Sequence, residues 1–526
     1  MIYAPSGILT LYLFAVILVP FFLAGCCSAV QVNFISDTHY DPAYGAANAH
    51  GPCVDASSPA LGASGCDAPK ELITSLCTDM TTQNSVYTYL AGDLQRHHFD
   101  SSGLSLNDTF GFLSQRLNAV HSNKEDGSPK VVASMGNNDM VPNYSFNLTE
   151  GSNGFLMKES EILQRNDLLG KGEAKSFEKC AYYLRIVSPT LRVIVLHTLV
   201  WCFSLRPSIP DDERDPCGQF EFLTTQLEEA RKAKSKVIIL SHIPPYINTW
   251  GVLAAKSLRS VEDDMYWKPM YQKRYNSLMK NFSDTITLQL YGHTHLFSLQ
   301  ALENGVPSYI IPAVTPIYKN IPSYMIAQLD DTAWSLKSLM QRYLSNSTWS
   351  NGLRVEDIFG DLSSISSIRK AAKQLTTDND MWAKYVTLHA GGIENHALFP
   401  NGKCDSWCQK LCSCSMISET WEDIQSCMKE EKEKKGSQGL TIALVVLGVV
   451  VLIVGSGMLF FHYNRQVNRK RSGEKVENEE NPNVNGAVNL DAQSEENFFE
   501  QNSPRHVDEE LPPPGETRSV VEVAEK

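Results

Sequence analysis

The amino-acid sequence predicts an α/β fold: central β-sheets flanked by helices, then a helical segment, one apolar span and a polar tail. Three observations predict it. From Val30 to about Asp330, short runs rich in Val, Ile and Tyr alternate with helical patterns. Five of these runs end in Asp, Asn or His. Near the far end, Leu440 to Phe461 carries no charge, and about 20 such residues cross a bilayer as a helix.

The first stretch has an apolar core from Ile8 to Ala24, followed by small residues Cys27, Ser28 and Ala29. This reads as a signal peptide, 1–29, cut near Ala29, with an uncleaved anchor as the alternative because no Lys or Arg precedes the apolar core. The expected strands are "VQVNFIS", "SVYTYLA", "KVVASM", "LRVIVLHTL", "SKVIILS", "TITLQLY" and "SYIIPAV". They are short, apolar and rich in β-formers, as buried strands are. Phe110 to Ser122 and Phe220 to Lys234 read as helices between them. Together these make an α/β domain, 30–333.

Residues 334–430 read as a helical subdomain containing a cysteine cluster. A transmembrane helix at 440–462 follows, and Arg465, Arg469, Lys470 and Arg471 sit just past it, as on a cytoplasmic side. The tail, 463–526, is acidic and rich in Pro and Asn, the composition of a disordered segment. Its "EENFFEQ" and "ELPPPG" are candidate docking motifs for sorting adaptors.

Eleven cysteines lie beyond the signal and before the span, and the tail has none. That distribution predicts disulfides in an oxidising compartment, with at least one thiol free or paired elsewhere because the count is odd. N-x-S/T sequons at Asn107, Asn143, Asn147, Asn281 and Asn346 fall on the same side. The reading is a single-pass type I membrane protein, with its bulk outside the cell or in the lumen of an organelle. A net charge of -13 and a pI near 5.5 leave no global basic surface, so duplex nucleic acid is not an expected partner.

The strand ends carry the chemistry. "NFISDTHYDP" supplies Asp37 and His39, and "YLAGDLQRHHF" supplies Asp93 and then His97. "SMGNND" supplies Asn137, "ILSHIPPY" supplies His242, and "LYGHTHLF" supplies His293 and His295. In open α/β sheets, ligands bind outside the carboxyl ends of strands. His nitrogen beside Asp and Asn oxygen suits Zn, Fe or Mn. Asp-x-His and His-x-His put alternate side chains on one side of extended backbone. Seven ligands exceed one tetrahedral ion and fit two ions about 3.5–4 Å apart with a shared carboxylate.

"DTH", "GD", "GNND", "SH" and "GHTH" resemble the five-motif signature of the calcineurin-like metallophosphoesterases. The flanks "SDTHYDP", "GDLQRHH", "SHIPP", "YGHTH" and "PAVTPIYKNIPSY" are similar to the acid sphingomyelinase-like phosphodiesterase branch, which includes endopolyphosphatases. The resemblance implies a metallophosphoesterase-type fold and two divalent metal ions, zinc first, with Fe or Mn as alternatives. It assigns Asp37, His39, Asp93 and His295 to one metal. It assigns Asp93, Asn137, His242 and His293 to the other, with Asp93 bridging and Gly136 as the turn that aims Asn137.

The resemblance implies that the two metals would supply an activated water for in-line attack on phosphorus. Where relatives place a histidine to protonate the leaving oxygen, this chain has Asn138. His97 matches a branch histidine able to do part of that work. An amide cannot give up a proton near neutral pH. The departure therefore favours leaving groups that are already stable, as in polyphosphate or nucleotide-type substrates. The short run before the first strand leaves no room for a saposin-like domain, which points the same way. Sphingomyelin, through its phospholipid head group, is the alternative substrate. A non-enzymatic receptor on the same scaffold is the alternative of another class, and the intact ligand set argues against it.

Overall fold

The computed structural model describes residues 29–121, 129–148, 153–303 and 305–471. The expected signal peptide, apart from Ala29, and the expected tail beyond Arg471 lie outside the described residues. Two units are distinguished, one through Ile417 and one from Ser418.

In the first unit, twelve strands form two sheets of six: β1 (Ala29–Ile35), β2 (Tyr87–Ala91), β3 (Val131–Ser134), β4 (Tyr183–Ser188), β5 (Leu191–Val195), β6 (Lys236–Leu240), β7 (Ile286–Tyr291), β8 (Ser298–Gln300), β9 (Ser308–Ile310), β10 (Ser323–Asp330), β11 (Leu336–Ser345) and β12 (Thr348–Arg354). One sheet runs β12-β11-β10-β1-β2-β3 and the other β4-β5-β6-β7-β9-β8. In the first, β1, β2 and β3 are parallel and β10 joins β1 antiparallel. In the second, β5, β6, β7 and β9 are parallel, flanked by antiparallel β4 and β8. Parallel strands are buried on both faces, which is why they read as unbroken apolar runs; every residue of β3 is buried. Tyrosines tie the sheets together. The Tyr183 hydroxyl of β4 donates to the Ala133 carbonyl of β3 at 2.8 Å and accepts from the Ala133 N–H at 3.1 Å.

The helix Gln219–Ala233 shows how the flanking layer forms. Phe220, Leu223, Leu227 and Ala230 recur at three- and four-residue spacing and are fully buried, the helix packing on β5 and β6. Burying each of the two leucines contributes about 1.5–3 kcal/mol relative to exposure. The Asp215 carboxylate accepts from the Phe220 and Glu221 N–H groups and so satisfies two free donors of the first turn. Lys234, at φ +57°, ends the helix.

The expected helical character of 334–430 fails in its first part. Trp334 turns at φ +54°, and Leu336–Ser345 and Thr348–Arg354 form a hairpin on β10. The open edge of β10 needs partners for its backbone groups, and this hairpin supplies them. Helices then follow at Ile365–Gln374, Asn379–Ala390 and Ser406–Ile417, all within the first unit, so no division falls at 333/334. The expected helix from Phe110 is α-helical over Phe112–Ala119 behind a π-turn at Asn107–Gly111, and Ser122 lies outside the described residues.

Disulfides join Cys53 to Cys66, Cys180 to Cys217 and Cys404 to Cys408. Among the described residues Cys77, Cys202 and Cys412 are free and buried. Asn107, Asn143, Asn281 and Asn346 are exposed, and Asn147 is half-buried.

In the second unit a helix spans Trp421–Arg471. Leu447–Asn468 within it is long and apolar enough to cross a membrane. This window lies further along than the expected 440–462, and the helix continues where a disordered tail was expected from 463. No Gly or Pro interrupts the chain between Met458 and Arg471.

One buried charge invites a test. Glu159, on the helix Gly154–Arg165, is fully buried, and neither carboxylate oxygen has a partner among the described residues. Burial, with the Asp139 charge adding, pushes its carboxyl well above the usual range. A folded-state pKa above the unfolded value costs stability as pH rises past the unfolded value of about 4.3. Glu159→Gln should therefore raise the melting temperature at pH 7.5, and the gain should vanish below about pH 4. Thermal melts across that range test it, and a pH-independent difference would refute the burial argument.

Candidate metal centre

The carboxyl ends of β1, β2 and β3 meet those of β6 and β7, and all seven predicted ligands lie there. His39 Nε2 stands 3.4 Å from Asp93 Oδ2, 3.8 Å from Asp37 Oδ1 and 3.2 Å from His295 Nε2. His295 Nε2 is 3.4 Å from Asp37 Oδ1. On the other side, His242 Nε2 is 3.2 Å from both Asp93 Oδ2 and Asn137 Oδ1. The His293 ring lies edge-on to that of His242 at 5.2 Å, and the His293 backbone N–H donates to both oxygens of Asp37. Asp93 Oδ2 thus faces both groups.

Second partners set the tautomers. His39 Nδ1 donates to the Gln95 carbonyl at 2.8 Å, and His242 Nδ1 to the Ala91 carbonyl at 2.6 Å. Each neutral ring therefore turns a lone pair inward from Nε2. Burial lowers both imidazoles, but Asp37 and Asp93 beside His39, and chiefly Asp93 beside His242, hold them up to about 9. Burial opposes ionisation of Asp37 and Asp93, yet the neighbouring imidazoles hold both below the usual carboxylate range. Burial pushes His293 down to about 4 and His295 to about 3. Two carboxylates, an amide oxygen and imidazole lone pairs converge on one buried space. That donor set fits divalent cations of the Zn, Fe or Mn type.

The turns that aim these groups are tight. Asp37, His39, Asp93, His293 and His295 all have φ between +37° and +74°. Such backbone costs on the order of 1–3 kcal/mol per residue. Gly136 works through space rather than as the turn expected from the sequence. A Cβ on it would lie 2.0 Å from Asp93 Oδ1. The helix end at Ala390 also braces the site, since the Ile321 N–H donates to the Ala390 carbonyl and the Phe297 N–H to that of His389.

Asn138 lies elsewhere than a leaving-group donor would. Its Nδ2 donates to Asp93 Oδ2 and its N–H to Asp93 Oδ1, both at 2.8 Å, so the amide is engaged by the shared carboxylate. His97 stacks on His39 at 4.0 Å, donates from Nδ1 to Asp67 at 2.8 Å, and has Nε2 3.3 Å from the Tyr318 hydroxyl. Burial, then the His39 charge, lower its pKa.

Several supporting residues were not read from the sequence. Asp139 accepts from the N–H groups of Leu94, Gln95 and Gly136, which ties the Asp93 turn to the Asn137 turn. It stands in the quoted "GNND", and a short acid just after a tight turn is the signal that was available. Asp67 and the half-buried Tyr144, Tyr266 and Tyr318 come from loops with no periodic pattern. Tyr144 and Tyr266 lie edge-on to His293, and Tyr318 packs on His295.

Known proteins similar to this chain are found by family profile, by sequence and by structure. A profile of the calcineurin-like phosphoesterases matches residues 30–297, just over half of the chain. The chain is 25% identical to Sphingomyelinase phosphodiesterase D of Dictyostelium discoideum, over 49% of this chain and 56% of that protein. It is 25% identical to human cyclic GMP-AMP phosphodiesterase SMPDL3A, over 55% of this chain and 63% of that one. With human acid sphingomyelinase-like phosphodiesterase 3b the identity is 28%, over 36% and 39%. These matches therefore span less than two thirds of each relative. A dimetal phosphatase from Danio rerio superposes with a TM-score of 0.39 at 11% identity, covering 61% of this chain and 98% of its own. From the matched residues and the five strand ends they contain, the chain belongs to the calcineurin-like phosphoesterase family.

Proposed function

We propose that this protein is a metal-dependent phosphodiesterase holding two divalent cations, zinc first. Asp37, His39, Asp93 and His295 hold one, and Asp93, Asn137, His242 and His293 hold the other. The observation that carries this is Asp93 Oδ2, 3.4 Å from His39 Nε2 and 3.2 Å from His242 Nε2, facing both groups at once. When bound, such a pair supplies an activated water and positive charge for the phosphoryl oxygens. The chain's own residues orient the ligands, through Gln95, Ala91 and Asn138, and exclude bulk water by burial. His97 and the Tyr318 hydroxyl offer hydrogen bonds at the rim.

The favoured substrate is a nucleotide-type phosphodiester or anhydride. Three half-buried tyrosines edge the site, and a planar base has a face to lay against them. A relative bears the name cyclic GMP-AMP phosphodiesterase. Polyphosphate stays within the reading, because Asn138 brings no proton and a phosphate leaving group needs none. Sphingomyelin is the second reading, favoured by the apolar Leu447–Asn468 helix, which we infer anchors the protein in a membrane as a type I span. The disulfides and exposed sequons accord with a lumenal or extracellular first unit.

Turnover by the zinc-loaded full chain in detergent tests this, with a cyclic dinucleotide, ATP, polyphosphate and sphingomyelin compared at pH 5 and pH 7. Nucleotide substrates should be turned over fastest, and turnover of sphingomyelin alone would overturn the substrate class. Asn138→His removes the amide bond to Asp93 Oδ2, so it should weaken metal binding and lower kcat/KM on every substrate, with the ratio for an alkyl phosphodiester over polyphosphate unchanged. A raised ratio at unchanged metal content would instead assign position 138 to the leaving group.

A further inference from the structure

An asparagine that ligates a cation must present its oxygen. The two ends of the amide have nearly the same shape, yet only Oδ1 carries lone pairs, while Nδ2 would aim protons at the cation. Something must therefore hold the amide of Asn137 one way round. His242 does not suffice, since it approaches the oxygen end at 3.2 Å from the site side. The nitrogen end is held from outside the site: Asn137 Nδ2 donates to Asn143 Oδ1 at 3.0 Å.

We propose that Asn143 is a positioning residue for the metal centre, whose side-chain carbonyl fixes which end of the Asn137 amide faces the cations. This rests on Asn137 being a ligand. The loop that carries Asn143 is built to hold it there. It folds back on Asn137, whose backbone carbonyl accepts from the Tyr144 N–H at 3.2 Å and the Met140 N–H at 3.4 Å. Beyond Asn143 the chain is pinned to a second loop: Arg206 N–H donates to the Tyr144 carbonyl at 2.9 Å, and Phe146 N–H to the Arg206 carbonyl at 2.8 Å. The acceptor therefore stays in place although Asn143 itself is exposed.

Asn143 also opens the sequon Asn143-Tyr144-Ser145. The two uses take different atoms, because a glycan attaches through Nδ2 and the bond from Asn137 ends on Oδ1. They can therefore be separated by substitution. Asn143→Ala removes acceptor and sequon. Asn143→Asp and Ser145→Ala remove the sequon and keep a carbonyl oxygen at 143.

The experiment is zinc titration of the chelator-stripped full chain in detergent against a chromophoric competitor. Melting curves check folding, and glycopeptide mass spectrometry reports occupancy at Asn143. Asn143→Ala should weaken one zinc site by about 10–100-fold, the usual effect of losing a group that orients a ligand. Asn143→Asp and Ser145→Ala should bind like wild type. Asn137→Ala should lose at least as much as Asn143→Ala. Wild-type binding by Asn143→Ala, with Asn137→Ala impaired, would overturn the positioning role and leave the ligand reading standing. Wild-type binding by Asn137→Ala would overturn the ligand reading and the proposal with it. Equal losses in all three variants at 143 and 145 would assign the effect to the glycan and overturn the hydrogen-bond argument.

Discussion

Asp93→Ala is expected to abolish hydrolysis and to release most of the bound metal. Among the described residues no other carboxylate comes as close to both groups: Asp37 Oδ1 stands 3.8 Å from His39 Nε2 and 4.0 Å from His242 Nε2, so the loss of Asp93 leaves both proposed sites incomplete. Metal catalysis contributes several kcal/mol of transition-state stabilisation, and each factor of ten in rate is about 1.4 kcal/mol. The drop in kcat/KM should therefore be about 10³-fold or more. Asp93 also accepts two hydrogen bonds from Asn138, so the alanine variant removes support for the Asn137 turn as well. Asp93→Asn separates the two effects. Asparagine tolerates the φ of +52° at this position and can still accept the Asn138 N–H. It should fold like wild type while losing the charge that binds both cations. Metal analysis and steady-state rates on the two variants check this. Full activity in either would sink the two-metal reading.

Gly136→Ala should come close to the same loss without touching a ligand. The added methyl would meet Asp93 Oδ1 at 2.0 Å and the Asp93 backbone nitrogen at 2.6 Å, distances that side-chain carbons do not adopt. Either Asp93 swings out of the site or the β3 end backs away and takes Asn137 with it. Both outcomes separate donors that must converge, and displacing reacting groups by about 1 Å costs on the order of 10²-fold. A loss of at least that size, accompanied by weaker metal binding and a lower melting temperature, is the expected result. Ordinary zinc content and rates would show that the turn has slack the close approach denies.

The parallel core of both sheets was legible because burial on both faces leaves unbroken apolar runs. β1, β2, β3, β6 and β7 begin and end close to the expected runs, whereas β5 stops at Val195 instead of Leu199 and β9 at Ile310 instead of Val314. The antiparallel edges were not. β11 reads "LKSLMQRYLS", full of residues with good helix propensity, and only pairing with β10 makes it a strand. β12 has no buried residue and so no apolar pattern to read. β8 has three residues, too few for any period. The convergence of the seven proposed ligands was legible because each is a polar side chain released at the end of an apolar strand. Their supports were not. Gln95 and Ala91 act through backbone carbonyls, which any residue possesses, and the Asn138 amide turned inward to Asp93 where the sequence suggested a role at the leaving group.

Five of the seven proposed ligand positions sit on left-handed backbone, and this has a consequence for variant libraries. At such a position a substitution passes two filters, one for chemistry at the metal and one for whether an L side chain tolerates the dihedral at all. Glycine and asparagine pass the second and fail the first. Valine and isoleucine fail both, and remove folded protein from the sample before any assay is run. Screens scored on total activity therefore merge two kinds of inactive variant at Asp37 and Asp93. Only scoring recovery of folded protein alongside turnover separates a lost ligand from a lost turn.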